Sequence, residues 1–128
     1  MPSQTIPATK FVLHDLEATV AAQLSEAVSD SGRAYCSTGS MSDCLALAEQ
    51  LSAGMVFCDS KPNHYRPLLD GLKKKGLHVP VVVVSRLPEV SEWLDALDAG
   101  AMDYCAAPFE HQQIRWLIDS AMLASQRV

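Results

Sequence analysis

Two carboxylates stand at the ends of short apolar runs: Asp15 follows Phe11-Val12-Leu13-His14, and Asp59 follows Met55-Val56-Phe57-Cys58. A third run, Val79 to Val84, leads into Ser85 and Arg86, and a fourth, Met102 to Ala106, into Ala107 and Pro108. If these runs lie side by side in one sheet, Asp15, Asp59 and Ser85 converge at its edge. Two carboxylates brought together there repel, and a divalent cation held by their oxygens is the usual remedy. The same residues suit a plainer task, because an aspartate after a strand readily caps the helix that follows. Residue type and spacing leave both readings open.

The elements that must position these residues alternate along the chain. Strand-like runs are each followed by a helical pattern, five times over, which is the signature of βα units around a parallel sheet. After the first strand, Leu16, Val20, Leu24 and Val28 recur at helical spacing until Gly32. Arg33 to Ser37 reads as the second strand, followed by Ser40 or Ser42 as a cap and the stripe Met41, Cys44, Leu45, Ala48, Leu51 up to Gly54. The third strand is Met55 to Cys58. Pro62 and Pro67 are expected to delay the third helix, marked by Leu68, Leu69 and Leu72 and closed by Gly76. Val79 to Val84 is apolar and mostly β-branched, as a central strand buried on both faces should be. Pro88 suits the first turn of a fourth helix, whose inner stripe is expected to be Val90, Leu94 and Leu97 before Gly100. A short fifth strand, Met102 to Ala106, and a last helix from about Phe109 to Ser125 complete the pattern. Right-handed crossovers favour an α/β, flavodoxin-like, doubly wound sheet of five parallel strands in the order 2-1-3-4-5 with five helices, and ligands of such sheets bind at the carboxyl ends of the strands.

The chain has 128 residues, 48% of them hydrophobic, which is enough for one core without metals or disulfides. Residues 1–9 read as a loose lead-in and 10–128 as the domain. A net charge of −5 argues against direct nucleic-acid binding, and the basic run Lys73-Lys74-Lys75 suits a solvated helix end. Cys36, Cys44, Cys58 and Cys105 show no paired spacing and read as small hydrophobes in a reducing cytoplasm. Neither Val81–Val84 nor the first ten residues make a membrane span or a signal peptide.

From Lys10 to about Ser125 the chain resembles the CheY-like receiver domains of response regulators. Phe11 to Asp15 resembles their first strand with its acidic pair, and Val56-Phe57-Cys58-Asp59 the strand carrying the phosphorylated aspartate. Val81 to Ser85 is similar to the strand that ends in Ser or Thr. Ala99-Gly100-Ala101-Met102-Asp103-Tyr104, followed by Pro108-Phe109-Glu110, is the most specific match. The resemblance implies a non-enzymatic module of a two-component phosphorelay that regulates transcription or another output. A histidine kinase or phosphotransfer protein would donate a phosphoryl group to Asp59. Asp15, Asp59 and the Lys61 backbone carbonyl would hold Mg²⁺, Ser85 would bond the phosphoryl group, and Tyr104 would move inward as that bond forms.

Several residues depart from the family pattern. Ala107 replaces the lysine that pairs with phosphoryl oxygens; such a loss costs about 2–4 kcal/mol where negative charge develops. His14 replaces the first acidic residue, so Mg²⁺ binding is expected to be weak, or His14 joins Asp15 and Asp59 around a transition metal. Lys61, folding over Asp15 and Asp59, and Arg86 are the candidate substitute cations. His64, His78 and His111 lie apart in sequence and carry no expected role.

On the last helix, Ile114, Leu117, Ile118 and Ala121 share an inner face, and Trp116 with Leu123 forms an outward stripe near Trp93. In receiver-like domains this side pairs with a second copy or with an output domain. Two other readings stand beside a departed receiver: a fully competent phospho-acceptor, and a flavodoxin-like nucleotide-binding protein. The latter needs a Gly- or Ser/Thr-rich phosphate loop where His14-Asp15-Leu16-Glu17 stands.

Overall fold

A computed structural model describes residues 10–51, 54–86, 89–107 and 109–126, with side chains except those of 10, 51 and 122–126. The expected lead-in, Pro88, Pro108 and the Leu123 side chain lie outside the described residues. The elements run β1 (Lys10–His14), α1 (Ala18–Asp30), β2 (Ala34–Thr38), α2 (Met41–Leu51), β3 (Met55–Asp59), α3 (Pro62–Lys74), β4 (Val81–Ser85), α4 (Val90–Asp98), β5 (Asp103–Ala106) and α5 (His111–Gln126). All strand pairs are parallel, in the order β2-β1-β3-β4-β5. This is the flavodoxin-like order expected from the sequence.

Alternation along the strands divides the core in two. Phe11, Leu13, Met55, Phe57, Val82, Val84 and Cys105 face α1 and α5, meeting Val20, Leu24, Val28, Ile114, Leu117 and Ile118. Val12, Val56, Cys58, Val81 and Val83 face the other helices, meeting Cys44, Ala48, Tyr65, Leu68, Leu72 and Ala96. Every residue of β4 is buried, as a central parallel strand requires. Cys44, Cys58 and Cys105 are buried free thiols, and burial pushes Cys44 up to about 11 and Cys105 up to about 12. They are packing residues.

Gly32, Gly76 and Gly100 end α1, α3 and α4 at positive φ of 81°, 69° and 112°. In each case the next residue's N–H reaches back across the last turn, Arg33 to Val28, Leu77 to Leu72 and Ala101 to Ala96, which is the Schellman closure that favours glycine. Ser40 is the cap of α2: its hydroxyl accepts the Asp43 N–H at 3.2 Å.

Two expectations are corrected. The helix α3 begins at Pro62, directly after a two-residue link from β3, with Pro67 inside it. Proline suits the first helical position, where its missing N–H has no partner to lose, and the bond Pro67 forgoes falls at the exposed Asn63. The apolar stripe of α4 faces outward: Val90 is 67%, Leu94 57% and Trp93 43% exposed, while Ala96 is the residue the helix buries. Beside Ala96, which packs in the core, the inner side carries acidic residues held by hydrogen bonds. Asp95 accepts from the Tyr65 hydroxyl and the Arg66 guanidinium, and Glu92 accepts from the Tyr104 hydroxyl at 2.9 Å.

Candidate functional site

The carboxyl edge of the sheet gathers Asp15, Asp59, Ser85, Arg86, Tyr104 and Ala107. Neither carboxylate is a helix cap: Glu17 and Lys61 occupy the N-cap positions of α1 and α3, and neither makes a capping hydrogen bond with its side chain. Asp15 sits in the left-handed region at φ 52°, a conformation aspartate tolerates better than most residues, with its N–H donating to the Thr38 carbonyl at 2.8 Å.

What joins the two carboxylates is His64. Its Nδ1 lies 2.9 Å from Asp59 Oδ2 and 3.5 Å from Asp15 Oδ2, with all three side chains partly open to solvent. The early start of α3 creates this contact, because it places His64 on the first turn, facing back over the end of β3. The other histidine of the edge plays a different part. His14 is buried at 3% exposure, and its Nδ1 shares a hydrogen bond with Thr38 Oγ1 at 2.9 Å. Burial lowers its pKa, the Asp15 charge opposes that, and the proximity of His64 adds to it.

Lys61 does not fold over the acidic pair. Its side chain is exposed, its charge acts on Glu17, and its carbonyl accepts the N–H groups of His64 at 2.8 Å and Tyr65 at 3.1 Å. Arg86 pairs with Glu17, and the Thr19 hydroxyl and that guanidinium hold the Glu17 carboxyl below its usual range. Beneath this bridge lies a 60 Å³ cavity lined by Asp59, Ser85, Leu16, Glu17, Val20, Val84 and Arg86. A wider space of 430 Å³ adjoins it, lined by Ala107, Arg86, Thr19, Val20 and Gln23.

Tyr104 is partly buried and its hydroxyl is shared between Ser85 and Glu92. Burial raises its pKa, the Ser85 bond opposes that, and Glu92 adds to it. The tyrosine therefore already lies against Ser85. On the outer side, Glu89, Val90, Trp93, Tyr104, Ala106 and Gln113 line a 440 Å³ groove between α4 and α5, and Trp116, one turn beyond Gln113, is 62% exposed.

The sheet order, the two helical layers and an aspartate at the end of β3 define the fold of the response-regulator receiver domain. Among solved structures, the chain is similar to NtrX from Brucella abortus, with a TM-score of 0.79 and 23% identity over 93% of this chain and 28% of that one. It is also similar to the isolated NtrX receiver domain, with a TM-score of 0.75 and 23% identity over 88% and 96% of the two chains. The receiver domain of the Francisella response regulator 1452 gives 0.76 and 18% over 91% and 98%. The chain thus spans little more than a quarter of full-length NtrX. No protein-family model and no curated protein matches the sequence.

Sequence reasoning missed His64 and the direction of α4. A signal for the first was present: proline favours the first helical turn, so Pro62 three residues after Asp59 brings the first-turn His64 back towards the strand end.

Proposed function

We propose that this chain is the receiver module of a two-component regulator that acts on an output domain or a second chain through its α4–α5 face, with little dependence on phosphorylation of Asp59. The observation that carries this reading is the reversed α4, which spends Glu92 and Asp95 on internal bonds and turns Val90, Trp93 and Leu94 to solvent, while Trp116 on α5 is exposed as well. Grouped aromatic and aliphatic side chains are the usual anchors of interfaces. The bond from the Tyr104 hydroxyl to Glu92 of α4 supports the same reading, since it ties β5 to this helix without a phosphoryl group. Its role is regulatory rather than catalytic, its location the cytoplasm, and its upstream partner a histidine kinase or phosphotransfer protein.

For the isolated chain the testable occupant is a second copy. Trp93→Ala with Leu94→Asp is expected to leave unfolding free energy within about 0.5 kcal/mol of the parent, as exposed substitutions do. The same pair should weaken self-association about tenfold or more in sedimentation velocity across a concentration series. A parent chain that stays monomeric at every concentration would remove the second copy and leave the output domain as the occupant.

A second reading, a competent phospho-acceptor with a substituted cation, is favoured by Arg86, which lines both the Asp59 cavity and the space beside Ala107. If Arg86 served that way, Arg86→Ala would abolish acetyl phosphate labelling of Asp59.

A further inference from the structure

The receiver fold implies a divalent cation between the carboxylates, and the residues present do not fit one. Mg²⁺ requires near-octahedral oxygen ligation at about 2.0–2.1 Å. Here Asp59 Oδ2 already has the His64 ring at 2.9 Å, and the same nitrogen lies 3.5 Å from Asp15 Oδ2, in the gap a shared ion would need. The Lys61 carbonyl takes two N–H groups of the first turn of α3, which uses both of its lone pairs. His14, standing where a further oxygen ligand is expected, is buried and turned to Thr38. Among the described residues, no group of three or more His, Cys, Asp or Glu side chains is arranged to hold a metal ion.

We infer that the His64 ring occupies the cation's place in the acidic pocket and closes the pocket to Mg²⁺. The device is local in sequence. Pro62 starts α3 after a two-residue link from β3, the first turn carries His64 back over Asp59, and the turn's own hydrogen bonds withdraw the Lys61 carbonyl. Ring and carbonyl are thus committed by one structural choice, and a metal could enter only by unwinding the start of α3 or expelling the ring. This inference borrows from the proposed function only the expectation of a metal. It stands apart from the interface, because metal affinity is read directly.

Isothermal titration calorimetry with MgCl₂, and with MnCl₂ as a second probe, tests it on the full chain at one fixed pH. The natural sequence is expected to bind no tighter than the millimolar range. His64→Ala is expected to gain about tenfold or more in affinity, the scale on which groups beside a metal site act. The gain should vanish when Asp59→Asn is added, which assigns it to this pocket. His64→Gln retains an N–H donor at the same place and is expected to stay weak. Thermal melting confirms that each variant folds. Tight Mg²⁺ binding by the natural sequence, or a folded His64→Ala variant with unchanged affinity, would overturn the inference. Loss of self-association in the Trp93 and Leu94 variants bears on the interface alone.

Discussion

Ala107→Lys combined with His64→Ala is expected to accept a phosphoryl group from acetyl phosphate at Asp59 on the order of 10²-fold faster than the natural sequence, the effect of restoring one well-placed group where charge develops. Position 107 can carry the change. Ala107 follows β5 directly, its N–H donates to the Ser85 carbonyl at 2.8 Å, and its methyl opens on the 430 Å³ space that shares Val20 and Arg86 with the Asp59 cavity. A lysine stem extending into that space would carry its ammonium towards the Asp59 cavity. Each single change supplies half of what is missing: lysine without room for the metal, or room for the metal without the lysine. The two should therefore be strongly non-additive, as groups acting on one reacting centre are. Intact mass measured over time follows the reaction. Addition of Asp59→Asn should abolish it, and a double variant no faster than the natural chain would place the defect elsewhere.

Tyr65→Ala is expected to destabilise the fold by about 3–5 kcal/mol, the range for removing a large buried aromatic side chain. The ring is fully buried in the layer between the sheet and α2, α3 and α4, and its hydroxyl donates to Asp95 on α4. Burial, with Asp95 adding to it, pushes the hydroxyl up to about 12, so it remains a donor throughout the neutral range. The bond in turn holds the Asp95 carboxyl below its usual range, ahead of the contribution from Arg66. The alanine variant therefore loses packing and one of the two hydroxyl ties to the polar side of α4. Tyr65→Phe keeps the ring and loses the tie, and should cost a fraction of the larger loss. Urea unfolding of the two variants separates the contributions. Equal losses would mean that the hydroxyl bond, rather than ring packing, carries the stability at this position.

The sheet was legible because its physics is local and repetitive. Val81 to Val84 must be buried on both sides, and they are; Gly32, Gly76 and Gly100 must stop helices, and each does so at positive φ. Once the strand order is set, the meeting of Asp15 and Asp59 follows. The direction of α4 was not legible. A helical period in Val90, Trp93, Leu94 and Leu97 reveals a stripe but not which side of the helix the core lies on. Here Tyr65, Arg66 and Tyr104, distant in sequence, supply bonds that draw the acidic side inward. His64 was hidden by a related limit. Two prolines read as a loop, yet Pro62 sits where a helix starts and Pro67 costs only a bond at an exposed carbonyl. The whole contact at the acidic pair depends on where that helix begins. The bond from the Tyr104 hydroxyl to Glu92 was hidden for the same reason, since a misdirected α4 places Glu92 outside.

The most direct test of the central claim is to incubate the natural chain with Mg²⁺ and acetyl phosphate and measure intact mass, with tryptophan and tyrosine fluorescence recorded alongside and Asp59→Asn as control. An acidic pocket filled by His64, without the lysine, and with Tyr104 already against Ser85 predicts little or no added phosphoryl mass and no Mg²⁺-dependent fluorescence change. Stoichiometric modification that disappears in Asp59→Asn, together with a fluorescence change, would contradict the account and make the chain a working phosphorylation switch.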